Sequence, residues 1–193
     1  MSTGAAEDER FRRARFETVA AAVYEPLQRY LRRRASADDA ADVLAETLLV
    51  VWRRLDDVPD EALPWCYGVA RRQLANHRRG DDRRLRLVGR AAAQPEPPSA
   101  DPQDAIEQLD PDLHAAIGQL SDAEAEIVHL WAWERLEPRE IATVLELSPN
   151  AVSVALSRAK RKLAGILEGG RQDRHDAGHL QGAGTAEQEG DAR

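Results

Sequence analysis

The stretch LSPNAVSVALSRAKRKL, residues 147–163, starts with small uncharged side chains and carries four basic residues in the five positions from Arg158 to Lys162. At helical spacing Pro149 opens a helix on which Asn150, Ser153, Val154, Ser157 and Arg161 share an outward face. Small side chains at a helix start let the backbone approach base edges, and Arg158, Lys160 and Arg161 further along can reach phosphates. Just upstream, the short helix REIATVLE and a turn at Leu147 complete a helix-turn-helix pattern, whose second helix reads a major groove. Ile141, Leu145, Leu147, Val152, Leu156 and Leu163 are the side chains expected to bury its inner faces, with Ala142 small enough for close helix approach. A plain amphipathic hairpin would share the periodicity, but not the turn and the basic end together.

A second set combines Trp65 and Tyr67 with Arg71, Arg72, Asn76, His77, Arg78 and Arg79. Aromatics stack on unpaired bases and arginines follow a backbone, which is the chemistry of single-strand capture. A buried tryptophan beside a solvated basic face has the same composition, so both readings stand at this point. On a third segment Asp42, Glu46, Leu49 and Arg53 share a polar helix face, which leaves Leu49 as an apolar group among charges; this resembles a docking surface for a protein, although single exposed leucines are common, so both readings stand.

Helices must position all three. Asp8 to Arg34 has helical apolar spacing with a kink or break expected at Pro26, and Ser36 with Asp39 caps a second helix to about Leu55. Its inward face is Ala40, Leu44, Leu48, Val51 and Leu55. After a loop from Asp56 to Leu63, a third helix runs from Pro64 to about Arg79, where Gly80 and two aspartates are expected to stop it. Residues 91–104, AAAQPEPPSADPQD, are too proline-rich and too poor in bulky apolar groups to pack. Helices resume near Ala105, with a full S-x-x-E capping box at Ser121 to Glu124 and a further start at Pro138. The reading is an all-α chain of two small helical domains, residues 9–88 and 105–168, joined by a flexible acidic linker, 89–104, and flanked by a disordered N-terminus, 1–8, and tail, 169–193.

Charge is unevenly spread along the 193 residues, with 18 basic against 15 acidic residues through Arg90 and 9 against 19 beyond it. Positive charge gathers in Arg71 to Arg90 and Arg158 to Lys162, an asymmetry more informative than the net −7. No apolar run approaches the roughly 18 residues a membrane span needs, and no signal peptide is read at the N-terminus. The single cysteine, Cys66, forms no internal disulfide, in keeping with a reducing, cytoplasmic setting. No phosphate-cradling glycine loop or nucleophile elbow is present, so no enzymatic activity, small-molecule substrate or cofactor is expected. His175 and His179 in HDAGH have helical metal-ligand spacing but lack a third ligand and a framework, so no metal is expected there.

The stretches YEPLQRYLRRR, ADDAADVLAETLLVVWRRL, ALPWCYGVARRQLANHRR and AIGQLSDAEAEIVHLWAWERLEPREIATVLELSPNAVSVALSRAKRKL, in this order and separation, resemble the extracytoplasmic-function (ECF) sigma factors, which carry only region 2 and region 4. The resemblance covers residues 16–84 and 105–167. It implies a promoter-specificity subunit of core RNA polymerase. Asp42, Glu46, Leu49, Trp52 and Arg53 would meet the β′ clamp helices, and region 4 the β flap. The Trp65 to Arg79 helix and the loop before it would hold the minus-ten strand, the Pro149 to Arg161 helix would read the minus-35 duplex, and an anti-sigma factor would cover the polymerase-facing surfaces. Ala45, Arg72 and Glu137 depart from the family pattern, where glutamine, asparagine and Ser or Thr are usual. A dimeric helix-turn-helix regulator acting without polymerase is the alternative, although no dimerisation helix is visible.

Overall fold

The computed structural model describes residues 3–88 and 111–182, with side chains described over 6–80, at 83 and over 112–169. Seven α-helices and no strand occur among the described residues. They are α1 (Thr3–Arg32), α2 (Ala37–Arg53), α3 (Ala62–Val88), α4 (Pro111–Ile117), α5 (Asp122–Ala132), α6 (Pro138–Leu145) and α7 (Pro149–Gly182), with a 3₁₀ turn at Leu55–Asp57. The linker expected at 89–104, and the onset expected near Ala105, lie outside the described residues.

Local chemistry sets most of the boundaries. Ser36 Oγ accepts from the Asp39 N–H at 3.2 Å and starts α2. Ser121 Oγ accepts from the Glu124 N–H at 3.4 Å while the Glu124 carboxylate accepts from the Ser121 N–H at 2.9 Å, closing the capping box of α5. Four expectations need correction. First, of the kink or break expected at Pro26 the break does not occur, since α1 runs through it; the carbonyl that Pro26 leaves without its amide donor belongs to exposed Ala22, where water can reach it. Second, α1 begins at Thr3, so residues 3–8 are helical, as the good formers Ala5, Ala6 and Glu7 favour. Third, α3 continues past Gly80 to Val88; one helical glycine costs about 1 kcal/mol, too little to end a helix whose Arg83 Nε bonds back to the Arg79 carbonyl at 3.1 Å. Fourth, α7 extends to Gly182, well beyond 168, because no proline interrupts it.

Each half contributes a buried stripe: Val23, Leu27 and Leu31 of α1 with Val43, Val51 and Ala70, and in the second half Ile127, Leu130, Ile141, Val144, Val152 and Ala159. The two stripes merge into one apolar cluster. The merger runs through α3, which packs on α6, and a Cβ at Gly68 would sit 3.4 Å from the Val144 carbonyl. Two thin cores thus become one, a size advantage for a chain this short.

Candidate nucleic-acid interface

The helix-turn-helix is built by α6 and α7. Glu137, where Ser or Thr is usual, still serves the start of α6: its N–H donates to the Glu140 carboxylate at 2.6 Å, and Pro138 follows at the first helical position. Glu146 then turns the chain at φ 58°, a left-handed geometry, and the Leu147 N–H closes the end on the Ala142 carbonyl at 3.0 Å. That turn sends Leu147 outward at 49% exposure, which corrects its expected burial. Ser148 Oγ accepts from the Ala151 N–H at 3.2 Å and starts α7.

Val152, Leu156 and Ala159 pin one face of α7 to the core, with Leu163 partly buried behind them. Pro149, Asn150, Ser153, Val154, Ser157, Arg158 and Arg161 are all exposed, as the spacing predicts. The Ser153 hydroxyl donates to the Pro149 carbonyl at 2.9 Å, leaving its oxygen as an acceptor. Lys160 is drawn to one side, its ammonium 3.4 Å from the ring centre of half-exposed Trp131. It meets a phosphate only by leaving that ring.

On α3 the expected strand-capture set divides. Arg71, Arg72, Asn76, Arg78 and Arg79 are exposed, and His77 sits 3.8 Å from Asp39. Trp65 is part-buried, with the Arg54 guanidinium 5.7 Å from its ring centre. Tyr67 is 2% exposed and does not offer its ring to a base in this conformation, which corrects its assignment. Two residues apart on a helix means about 200° of rotation, so Trp65 and Tyr67 cannot serve one strand together. The Tyr67 ring lies 5.0 Å from that of Tyr30, and its hydroxyl donates to Glu134 Oε2 at 3.2 Å. Burial and Glu134 both push its phenol pKa up.

Arg71, Arg72, Arg78, Arg79 and Arg34 line a cleft of about 480 Å³ with Glu126 as its only acidic wall residue among the described residues. Arg78 bonds to the Arg34 carbonyl at 2.6 Å, and Arg79 to Asn76 Oδ1 at 2.6 Å. Arg78 and Arg79 are thereby held in place within this basic track.

Among the docking residues, Asp42, Glu46, Leu49 and Arg53 are exposed and the inward face of α2 is buried as expected. Trp52 is only half available, its ring edge-on to Phe16 at 5.2 Å and covered by Arg12. Sequence reasoning missed Tyr24 of α1, which flanks a shallow groove with Leu44 and Leu48 of α2. Its signal was available: Tyr24 falls off the Val23, Leu27, Leu31 stripe yet is aromatic. His175 and His179 lie on α7, but their side chains are outside the described residues.

This arrangement has relatives. Residues 110–163 match the family model for Sigma-70, region 4. The ECF RNA polymerase sigma factor SigL of Mycobacterium tuberculosis is 30% identical over 173 residues, covering 87% of this chain and 95% of the relative. The chain belongs to the ECF RNA polymerase sigma factors. The same all-helical fold occurs in CnrH, solved in complex with the cytosolic domain of CnrY, at TM-score 0.51 and 22% identity over 80% of this chain and 88% of that one. It occurs too in the sigma factor RpoE of Bartonella quintana, solved in complex with the anti-sigma factor NepR, at TM-score 0.54 and 19% identity over 79% and 96% of the two chains. In this ECF sigma factor the region 4 match ends at Leu163, where the inner face of α7 leaves the core.

Proposed function

We propose that this sigma factor directs core RNA polymerase to promoters through three separate surfaces: α7 reads the minus-35 duplex, the arginine track of α3 holds the melted minus-ten strand, and the Leu49 face of α2 docks on polymerase. The role is binding, carried out in the cytoplasm, and needs no cofactor. One observation supports it most: α7 buries Val152, Leu156 and Ala159 while Asn150, Ser153, Val154 and Ser157 stay open to a groove, with Arg158 and Arg161 placed for flanking phosphates. Extruding a base from the stack costs a few kcal/mol, which contacts along α3 would offset. Residues 9–88 and 105–168 would be the working units, with 89–104 as the tether that lets polymerase set their separation. The groove beside Tyr24 and Leu48 suits an anti-sigma factor of the kind found with RpoE.

Run-off transcription from promoters mapped after overexpression tests the proposal. Promoter-specific product should need both core polymerase and this chain. Equal product without the chain would reject it.

A further inference from the structure

Arg12, Arg15 and Phe16 fall within about one turn of each other on α1, and all three meet the end of α2 or the loop that follows it. Arg12 Nη2 donates to the Trp52 carbonyl at 2.8 Å, one of the last four carbonyls of α2, which no amide within a regular helix reaches. Its guanidinium lies 5.2 Å from the centre of the Trp52 ring, which Phe16 meets edge-on, and 3.3 Å from Asp56. Arg15 Nη2 donates to the Val58 carbonyl at 3.0 Å. The two carbonyls bracket the 3₁₀ turn at Leu55–Asp57, so α1 holds the loop on both sides of that turn. The Arg12–Asp56 pair adds little, since the carboxylate is 82% exposed, whereas a charged donor on a part-buried carbonyl makes a stronger bond. Buried Leu55 and Val58 already tether the loop to the core, and the arginines add its orientation. Val58 has the extended backbone that a residue before proline adopts, and the Pro59 ring fixes its own φ. Arg15 thus grips the peptide plane leading directly into exposed Pro59, Asp60 and Glu61.

We propose that Arg12 and Arg15 are positioning residues for promoter recognition: they preset the loop at 56–61 in the shape that receives the melted minus-ten strand, without touching the strand. The inference rests on the reading of that loop, with α3, as the strand-holding element. A loop ordered in advance loses less freedom on binding, and one competent for only part of the time binds with proportionally lower apparent affinity. Freeing the loop should therefore weaken strand capture, while the Leu49 face of α2 and the reading face of α7 keep their own contacts.

The test uses holoenzyme carrying the full chain, with Arg12→Ala and Arg15→Ala combined, and with Arg12→Lys and Arg15→Lys combined. Affinity for a fluorescent fork-junction oligonucleotide, single-stranded across the minus-ten element of a mapped promoter, should fall about ten-fold in the alanine variant. The lysine variant should recover most of it, because each carbonyl needs only one donor. Affinities for core polymerase and for minus-35 duplex should stay within roughly two-fold, and the log–log salt slope on the fork probe should not move, since no phosphate contact is lost. In the free alanine variant the Asp57 and Val58 amides, bonded to the Arg54 and Leu55 carbonyls, should exchange faster while amides within α1 and α3 keep their protection, which separates a loosened loop from an unfolded domain. Fork affinity close to wild type, an equal loss of core binding, or a salt slope lowered by about 0.7 per arginine overturns the proposal. Failure of the underlying reading looks different: Pro59→Gly, Asp60→Gly and Glu61→Gly together would then leave fork binding unchanged, whereas a weakened loop-tip variant beside unaffected arginine variants rejects the positioning role alone.

Discussion

Leu49→Asp separates docking from folding, and its size follows from the exposure of one side chain. Leu49 is 46% exposed, so just under half of its area remains for a partner to cover. Full burial of a leucine is worth about 1.5–3 kcal/mol, which leaves roughly 1 kcal/mol at the interface. Aspartate forfeits that and adds an unpaired charge in a covered site, about 2 kcal/mol more, for a total near 3 kcal/mol or roughly 100-fold in affinity. The fold should barely respond. Aspartate near the end of α2 loses helix propensity and opposes the helix dipole, together about 1 kcal/mol, or a few degrees in melting temperature. Val51 on the same helix is 0% exposed, so Val51→Asp serves as the contrast and should unfold the domain. Competition binding to core polymerase, alongside thermal melts of both variants, reads the two effects. Affinity within two-fold of wild type would refute the placement of this surface, and a Leu49→Asp melt as damaged as Val51→Asp would refute its exposure.

Burial, then Arg34 and Arg33, hold the His129 pKa down at about 4 against the opposing pull of Glu126, while the unfolded chain titrates near 6.5. Stability is therefore full above the unfolded value and falls as pH drops towards 4, by about 2 kcal/mol between pH 7 and 5; denaturant midpoints at the two pH values check it, and His129→Gln should flatten that fall. Arg135 has φ 55°, a strained geometry for a non-glycine residue, so Arg135→Gly should change stability little or raise it by up to about 1 kcal/mol in equilibrium unfolding, whereas a clear loss would show that the side chain matters more than the backbone. Arg161→Ala should weaken holoenzyme binding to minus-35 duplex uniformly across sequences and lower the log–log salt slope by about 0.9; an unchanged slope would mean that Arg161 touches no phosphate.

What could be read without coordinates depended on range. Capping at Ser36 and Ser121 is decided by groups three residues apart, so the starts of α2 and α5 were legible, as was that of α7 from Pro149. The outward face of α7 was legible for the same reason, since helical periodicity alone separates Ser153 and Ser157 from Val152 and Leu156. Leu147 was misjudged because the left-handed turn at Glu146, where glycine is usual, reverses its direction and no local residue announces it. Tyr67 was misjudged for a different reason. Its partner Glu134 lies 67 residues away, and nothing in either segment signals the pairing. Pro26 and Gly80 show the limit of breaker rules: each imposes a local cost, and the surrounding helix absorbs it.

The lopsided charge of this sigma factor bears on how the free chain meets DNA. Beyond Arg90 the chain holds 19 acidic against 9 basic residues, an odd endowment for the half that carries the helix-turn-helix. Nonspecific DNA affinity grows with the number of phosphates neutralised, so a recognition helix with few cations on an acidic body is a weak free binder. Glu134, Glu126 and Glu146 also neutralise Arg33, Arg34 and Arg72 of the other half, which leaves fewer free cations to draw it to nucleic acid. Both effects suppress promiscuous binding by the free chain. Raising salt should therefore weaken the free chain's residual DNA binding and also loosen the more exposed Arg72–Glu146 pair, which the pairs of Glu134, whose side chain is 3% exposed, should outlast.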